Sequence, residues 1–417
     1  MPVHILEEAR RCLNCKNPMC QRGCPIHTPI PHVIQAMLAG KLDEAGRMLF
    51  ENNPLTSICP MVCNHEKQCE GHCVLNRNGA PVHFSSIENY ISSAYTKNIE
   101  EGPGASNGMR AAIIGSGPAG LTIAVILARK GYQVTIFEGK DKIGGVLRYG
   151  IPDFRLPKSV LDEFEEHHLV KKNIRVRPNT TIGAAITIDD LFSDGYKAVY
   201  VGTGVWHPNT LRVKGQTLGN VHFGINYLGN PDSFRLGETI NVIGAGNAAM
   251  DVCRTALRKG VKHVNCFSLT ERVAASRNEF EYALIEGVKF FYNKQPVEIV
   301  EEGVIFEDVA HYSDGAMEAV PGTQKLYKAD STIISISQGP RSRLVKTTEG
   351  LMANRQGLLA ADEYGRTSRP GIFASGDVVA GARTVVEAVV HSKLVAEAMD
   401  AYMQGQNLEK KLRGFIK

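Results

Sequence analysis

A short apolar strand that runs into a glycine-rich turn and then into an apolar helix occurs twice along this chain. In the first instance, strand 111–114 leads into Gly115-Ser116-Gly117-Pro118-Ala119-Gly120, and a second strand, 134–137, ends on Glu138. The first glycine permits the tight turn, the second lets the backbone approach a pyrophosphate, and the third lets helix and strand pack closely. The pattern predicts a βαβ unit that binds a dinucleotide, with Glu138 on its ribose hydroxyls.

The second instance has a strand at 240–243 and the turn Gly244-Ala245-Gly246-Asn247-Ala248-Ala249, in which alanine replaces the third glycine. Two such units predict two nucleotide sites, one for a flavin and one for a nicotinamide cofactor. Beyond the next strand, Glu271 precedes Arg272 and Arg277. The arginines could clamp a 2′-phosphate and the glutamate could reject it, so NADPH and NADH both remain open.

Composition limits the classes of partner. The chain has 417 residues, of which 43% are hydrophobic and 22% charged, enough for two to four domains. Its formal net charge of +4 is too small to indicate nucleic acid or an anionic membrane. The start of the chain is polar, and the longest apolar run, Leu121–Ala128, is too short to span a bilayer. We therefore expect a cytoplasmic protein that binds neither nucleic acid nor membranes.

The N-terminal segment has a pattern of its own. Apolar residues recur at helical spacing between 30 and 50, which predicts a small helical domain. Eight of the ten cysteines fall in this segment, in the two sets Cys12, Cys15, Cys20, Cys24 and Cys59, Cys63, Cys69, Cys73. In a reducing compartment, such density indicates metal rather than disulfides. The opening Cys-x-x-Cys and the closing Cys24-Pro25 favour two 4Fe-4S clusters, with structural zinc as the alternative.

Residues 12–25, 51–55 and 63–73 together resemble the N-terminal domain shared by the small subunit of bacterial glutamate synthase and by dihydropyrimidine dehydrogenase, and the likeness continues to the C-terminus. The resemblance implies a multidomain protein with an N-terminal α-helical iron-sulfur domain and two α/β Rossmann-like nucleotide-binding domains. The expected boundaries are 1–107 for the 4Fe-4S domain, 108–206 and 336–417 for the FAD-binding domain, and 207–335 for an inserted NAD(P)H-binding domain.

The same resemblance implies which residues hold the clusters. One cluster is expected on Cys12, Cys15, Cys20 and Cys73, and the other on Cys24, Cys63, Cys69 and Glu88. An exposed helical glutamate is the alternative for Glu88. Cys59 is then a small buried thiol rather than a ligand.

The resemblance also implies FAD contacts and a preference for NADPH. Gly145 and Arg155, in a segment that looks like the family's flavin-contacting loop, are expected on FAD. Gly376 and Asp377 are expected at its ribityl hydroxyls, and the helix that opens at Thr384-Val385 is expected to point at the flavin ring.

These parts predict electron transfer. Cys253 and Cys266 stand apart in the sequence, so we expect no dithiol for a disulfide substrate. Hydride transfer between nicotinamide and flavin needs no general acid or base, so no catalytic side chain is predicted. Electrons are expected to run from NAD(P)H to FAD, through the clusters, and out to a partner.

The resemblance implies that this partner is the large subunit of glutamate synthase. A dihydropyrimidine dehydrogenase partner or a ferredoxin-type acceptor is the enzymatic alternative. A non-catalytic electron-relay or assembly subunit is the alternative from another class, and the intact glycines of both turns argue against it.

Overall fold

The structure is a computed structural model that describes residues 3–98, 102–311 and 316–408. The chain forms two compact units. The first comprises Met1–Leu147, Asp153–Val205 and Pro340–Lys417, and the second comprises Arg148–Pro152 and Trp206–Gly339. The predicted C-terminal limit of the FAD-binding domain, at 417, lies outside the described residues.

The N-terminal part of the first unit is helical, as the spacing of its apolar residues predicts. Ile30, Val33, Ile34 and Met37 all face its core, one helical turn apart. The helices are α1 (Val3–Arg10), α2 (Met19–Gly23), α3 (Ile30–Leu38), α4 (Leu42–Asn52), α5 (Cys59–Val62) and α6 (Phe84–Asn98), with a 3₁₀ turn at Val74–Asn78.

Next comes the first half of the larger α/β layer. Its elements are β1 (Arg110–Ile114), α7 (Pro118–Arg129), β2 (Gln133–Phe137), α8 (Val146–Tyr149), α9 (Lys158–Phe164), β3 (Arg175–Arg177), α10 (Ile188–Ser193) and β4 (Tyr196–Val201), with a π-helical turn at Glu165–Val170. The inner strands are buried on both faces, as expected for a parallel sheet covered by helices.

The second unit contains a parallel sheet and an antiparallel one. Its elements are β5 (His207–Pro208), β6 (Val221–Phe223), α11 (Gly224–Gly229), β7 (Thr239–Ile243), α12 (Asn247–Arg258), β8 (His263–Phe267), α13 (Arg277–Ile285), β9 (Lys289–Phe291), β10 (Lys294–Val300), β11 (Gly303–His311), β12 (Met317–Ala319), β13 (Lys325–Lys328), β14 (Ser331–Ile334) and β15 (Gln338–Gly339). The parallel sheet has the order β6-β14-β7-β8-β9. Strands β10 to β13 form the antiparallel sheet, and β5 pairs with β15.

The chain then returns to the first unit with α14 (Arg343–Thr347), β16 (Ile372–Ala374), α15 (Asp377–Ala380) and α16 (Val385–Met403). Strand β16 completes a parallel sheet of order β16-β4-β1-β2-β3. Helix α16 begins with a capping box, in which the Thr384 hydroxyl accepts the Glu387 N–H and the Glu387 carboxylate accepts the Thr384 N–H. Along its length α16 packs on α7 and on α5.

The N-terminal helices pack directly on the α/β layer of the first unit. The Phe50 ring stacks on the His168 imidazole with 4.6 Å between ring centres. Glu51 lies 3.7 Å from the Arg129 guanidinium, and the Lys172 ammonium lies over the Phe50 ring. The segment that joins the two parts is also held in place, because the Gly104 N–H donates to the Ala128 carbonyl at the end of α7. The contact between the two parts therefore combines stacked rings and the buried Lys172 ammonium with the more exposed Glu51–Arg129 pair.

Candidate cofactor sites

The turn after β1 has the backbone geometry that its glycines predict. Gly115 has a positive φ of 97°, and a Cβ there would lie 2.6 Å from the Gly202 carbonyl oxygen. A Cβ on Gly120 would lie 2.0 Å from the Gly115 carbonyl oxygen. At Gly117, the N-cap of α7, a Cβ would meet no atom within 4 Å. The helix N-terminus thus faces an open space that suits a diphosphate.

Glu138 is tied to this turn by a residue that the sequence interpretation missed. One carboxylate oxygen accepts the Ser116 N–H at 2.9 Å and the Ser116 hydroxyl, and the other accepts the Lys140 N–H at 2.8 Å. Glu138 is only 7% exposed. Because a carboxylate offers about four acceptor positions, capacity remains for a ribose hydroxyl. The signal for Ser116 was its place between the first two glycines.

Two more predicted segments converge on the same turn. Gly145 has a φ of 52°, and a Cβ there would lie 2.8 Å from the Gly117 Cα. A Cβ on Gly376, whose φ is 72°, would lie 3.0 Å from the Ala119 Cβ in the first turn of α7. Arg155 lies half-buried further along the segment that contains Gly145. The structure therefore brings the glycines of three distant segments to the start of α7.

Asp377 follows this convergence at the start of α15. Its Oδ1 accepts the Arg383 N–H at 3.2 Å. Burial raises the pKa of the Asp377 carboxyl to about 6, partly offset by this N–H. Thr384 and Val385 then open α16. Asp377 is therefore an acceptor whose charge is costly unless a ligand donates hydrogen bonds to it.

The second turn repeats the geometry of the first. Gly244 has a φ of 116°, a Cβ there would lie 2.2 Å from the Ser335 carbonyl oxygen, and the Cβ position of Gly246 is open. The Asn247 side-chain oxygen accepts the Ser276 N–H at 2.8 Å. Ala248 lies in the first turn of α12, and Ala249 is fully buried. The start of α12 thus offers a second open N-terminus.

The two arginines near this turn differ in their surroundings. The backbone carbonyl of Arg272 accepts hydrogen bonds from the Ser268 and Thr270 hydroxyls, and these bonds close a tight turn after β8. The Arg272 side chain is 89% exposed and lies 3.8 Å from Glu271. Arg277 opens α13 and pairs with Glu281 at 2.6 Å. Both arginine side chains are exposed, and Arg272 is the less closely paired with a carboxylate.

The N-terminal cysteines fall into two neighbourhoods. Cys12, Cys15, Cys20 and Cys73 line one apolar cavity, which Cys69 also lines. Burial raises the pKa of the Cys12 thiol and raises that of Cys20 to about 11, and the neighbouring thiols of Cys15 and Cys73 add to both shifts. These thiols are thus close enough to repel one another when ionised.

The second neighbourhood surrounds Glu88, which is buried in α6 at 6% exposure rather than exposed. Its carboxylate accepts the Thr56 hydroxyl at 3.2 Å, and burial raises its pKa to about 8. Burial is the largest cause that raises the pKa of Cys69, and the Glu88 carboxylate is the next. Glu88 also contributes to the raised pKa of Cys63. The neighbouring Cys24 thiol adds to the rise in the pKa of Cys69.

Cys59 also belongs to this neighbourhood. It is buried one helical turn before Cys63, and the hydrogen bond between the two thiols is the largest cause that raises the pKa of Cys63. Among the described residues, no three His, Cys, Asp or Glu side chains converge as closely as a single metal ion requires. Both neighbourhoods are thus more open than a single-ion site.

The prediction that Cys253 and Cys266 are isolated is wrong. Helix α12 packs on β8, which brings the two thiols into hydrogen-bonding contact. Both are fully buried in the core of the second unit, and the Cys266 thiol donates to the Gly244 carbonyl at 3.3 Å. Packing of an amphipathic helix on the next strand, which residue spacing alone does not reveal, accounts for the pair.

Comparison with known proteins agrees with this geometry. Residues 2–99 match the family described as dihydropyrimidine dehydrogenase domain II, 4Fe-4S cluster, and residues 109–405 match the pyridine nucleotide-disulphide oxidoreductase family. The glutamate synthase [NADPH] small chain of Escherichia coli (strain K12) is 32% identical over 95% of this chain and 91% of its own length. This chain belongs to the glutamate synthase small-chain family. The resemblance found in the sequence is thereby confirmed.

Two further likenesses extend the comparison. The NAD-dependent dihydropyrimidine dehydrogenase subunit PreT of Salmonella typhimurium is 30% identical over 97% of this chain and 95% of its own length. The structure of Mycobacterium tuberculosis FprA in complex with NADPH superposes with a TM-score of 0.61 at 17% identity, covering 71% of this chain and 85% of that one. The second likeness concerns the fold alone.

Family membership fixes the general chemistry. The protein is an oxidoreductase with an N-terminal 4Fe-4S domain and FAD- and NAD(P)-binding domains of the Rossmann type. The open helix N-termini at Gly117 and Gly246 fit two dinucleotides. None of the described helices combines the length and apolarity that crossing a bilayer requires.

Two glycines of the first turn should respond differently to alanine. Gly117→Ala places a methyl group in the open space, so the apoprotein should keep its melting temperature while FAD retention falls at least tenfold. Gly120→Ala forces a backbone shift at Gly115, so the apoprotein should lose about 1–3 kcal/mol of stability. Thermal unfolding and flavin absorbance after gel filtration measure the two effects. If both variants changed the melting temperature and FAD retention alike, the separate roles of Gly117 and Gly120 would be contradicted.

Asp377 should give the apoprotein a pH-dependent stability. Because burial raises its pKa from 3.8 to about 6, the stability it contributes is present at acidic pH and is lost as pH rises through about 6. Asp377→Asn should therefore raise the melting temperature relative to wild type at pH 7–8 and leave it unchanged near pH 4. Melting curves of both apoproteins test this, with Asp43→Asn, at an exposed position of α4, as control. Parallel pH profiles would refute it.

Proposed function

We propose that this protein is the NAD(P)H-oxidising small subunit of a glutamate synthase, which passes electrons from FAD through two 4Fe-4S clusters to a large subunit. The observation that carries the proposal is the presence, in one chain, of two cysteine neighbourhoods and two open dinucleotide turns. Relatives of nearly equal length that are named glutamate synthase small chain support it.

The proposed clusters follow the two neighbourhoods. Cys12, Cys15, Cys20 and Cys73 hold the first, which lies in the apolar cavity. The second is held by Cys24, Cys63, Cys69 and Glu88. Coordination to iron would offset the cost that burial imposes on the ionised forms of Cys69 and Glu88. Cys59 remains a buried neighbour of Cys63 rather than a ligand.

The proposed FAD site is the convergence at the start of α7. Residues Gly115 to Gly120 cradle the diphosphate at the helix N-terminus, and Glu138 accepts from the adenosine ribose. Gly145 and Arg155 line the flavin, and Gly376 with Asp377 meets the ribityl chain. Thr384 and Val385 place the positive end of α16 towards the flavin ring. In return, hydroxyl donors from the ribityl chain stabilise the buried Asp377 carboxylate.

The nicotinamide cofactor is proposed at the second turn, with its diphosphate on residues Gly244 to Ala248. FAD held at the first turn would supply acceptance of a hydride from the nicotinamide and release of its two electrons one at a time. The side chains of this protein position the two cofactors and exclude water, and none has to move a proton in the hydride step. Arg272 is the proposed contact for the 2′-phosphate of NADPH, with Arg277 as a weaker one.

A dihydropyrimidine dehydrogenase subunit is the second candidate function. It is favoured by the full-length likeness to PreT, which is almost as strong as that to the glutamate synthase small chain. Both functions share the proposed electron path and differ in the partner. Affinity purification from the source organism under anaerobic conditions, followed by identification of the subunit that copurifies, distinguishes the two.

The choice of nicotinamide cofactor can be tested at Arg272. Removing a charge-assisted hydrogen bond to the 2′-phosphate costs about 1.5–3 kcal/mol, so Arg272→Gln should raise the KM for NADPH at least tenfold and leave that for NADH unchanged. Arg277→Gln is the matched control and should have a smaller effect, because Arg277 is already paired with Glu281. An unchanged NADPH KM in Arg272→Gln would show that this residue does not contact the phosphate.

Hydride transfer and electron export should be separable. A Cys12→Ala/Cys69→Ala double variant removes one ligand from each proposed cluster and leaves both dinucleotide turns intact. It should keep NAD(P)H-dependent dye reduction at the flavin and lose electron delivery to the partner. Because cluster binding can supply folding energy, retained FAD is checked first. Cys253→Ala, which removes a buried thiol outside the N-terminal domain, is the control. If the flavin-loaded double variant delivers electrons to the partner at the wild-type rate, electrons leave the protein directly from FAD.

A further inference from the structure

Helix α16 runs from the flavin convergence to the N-terminal domain. It opens at Val385, just after the turn that contains Gly376, and it packs on α7 and then on α5. Lys393 lies eight residues after Val385, which corresponds to about 12 Å along the helix axis. A side chain at this position is thus placed between the proposed flavin and the proposed second cluster.

Lys393 begins a chain of hydrogen bonds that ends at a cysteine. Its Nζ donates to the Asn52 carbonyl oxygen at 2.5 Å and to the Asn52 side-chain oxygen at 3.1 Å. The Asn52 amide donates to the Thr28 hydroxyl oxygen at 3.1 Å, which leaves the Thr28 O–H to donate onward. That oxygen lies 3.3 Å from the Cys24 sulfur. Once Cys24 is a thiolate, which can only accept, the four groups would connect in one direction, from the cation to the sulfur.

The surroundings of this chain are partly shielded from solvent. Thr28 is only 2% exposed, and Lys393 is half-buried although it carries an ammonium group. Electrostatic interactions are stronger and less screened by salt in such surroundings than at a surface. Since Asn52 is the last residue of α4, the lysine also neutralises a helix C-terminus, which is a purely structural role. A test has to separate this role from an effect on the cluster.

We propose that Lys393, acting through Asn52 and Thr28, raises the reduction potential of the cluster held by Cys24. This rests on the proposed function. An added electron makes a thiolate-bound cluster more negative, so a nearby cation and a hydrogen bond to a ligand sulfur stabilise the reduced form more than the oxidised one. Lys393 is a positioning residue, because it acts on the cluster through other groups.

The direct test is a potentiometric titration of Lys393→Met holoprotein, followed by EPR. One of the two cluster signals should move to a more negative potential. The oxidised-to-reduced ratio at a fixed potential should change at least tenfold, which is 59 mV for a one-electron couple. The signal of the other cluster should stay in place, and it serves as an internal reference within each sample. Lys393→Arg, which keeps the charge, should restore most of the wild-type potential.

Arg129→Met is the matched control for the domain contact. Arg129 also carries a cation to the N-terminal helices, through Glu51 at 3.7 Å, and lies outside the hydrogen-bond chain to Cys24. Its removal should leave both potentials unchanged. A shift as large as that of Lys393→Met would mean that loosening of the contact, rather than the lysine charge, sets the potential.

Thr28→Val tests the link without removing a charge or a contact of α16. The two side chains have similar volumes, so the variant removes mainly the hydroxyl that faces Cys24. It should shift the same EPR signal in the same direction, and combination with Lys393→Met should give less than the sum of the two shifts. This variant keeps the test valid if Lys393→Met disturbs the contact between α4 and α16.

The outcomes separate the inference from the proposed function. If iron content and EPR show two clusters but their potentials are unchanged in both Lys393→Met and Thr28→Val, the inference is overturned and the proposed function stands. Equal shifts of both signals would also overturn it. A wild-type protein that binds fewer than two clusters under anaerobic reconstitution would instead refute the two-cluster path on which it rests.

Discussion

Close approach of backbone to backbone at the start of α7 is the constraint on which the first unit depends. A Cβ at Gly115 or Gly120 would overlap a backbone carbonyl oxygen. Strand, turn and helix can therefore approach this closely only because neither position carries a side chain. Gly145 and Gly376 repeat the same requirement from two other segments. Segments more than two hundred residues apart in the chain therefore share one crowded point, and the space left open there is at Gly117.

The N-terminal helices extend this arrangement by packing on the same layer. Phe50 stacks on His168, and α16 contacts both α7 and α5. One helix thus touches the proposed flavin site at its start and the cysteine-bearing helices further along. The proposed electron path follows a continuous packed body of protein rather than a mobile linker, because the segment after the N-terminal domain is itself hydrogen-bonded to the end of α7.

Much of this could be predicted from the sequence, because the relevant signals are local. Apolar periodicity marks the helices around Ile34, and a glycine triplet between strand and helix marks each dinucleotide turn. Contacts between distant side chains leave no such signal. Nothing in the spacing of Cys253 and Cys266 reveals that α12 lies on β8, and nothing near Lys393 reveals that it meets Asn52.

The role of Ser116 illustrates the same limit within a motif. Its position was known, but its partner, Glu138, is fixed by the pairing of β1 with β2, which places the end of one strand beside the end of the other. Sequence motifs therefore locate the turn, and the sheet register decides which side chains complete it.

The buried imidazole of His168 has a consequence for regulation by acidity. Burial and the nearby Lys172 ammonium lower its pKa to about 3, so the ring that stacks on Phe50 is neutral from pH 5 to 8. Histidines at domain contacts often act as proton-operated switches in that range. This one cannot, because its ring stays neutral there, so its stacking on Phe50 does not respond to physiological changes in proton concentration.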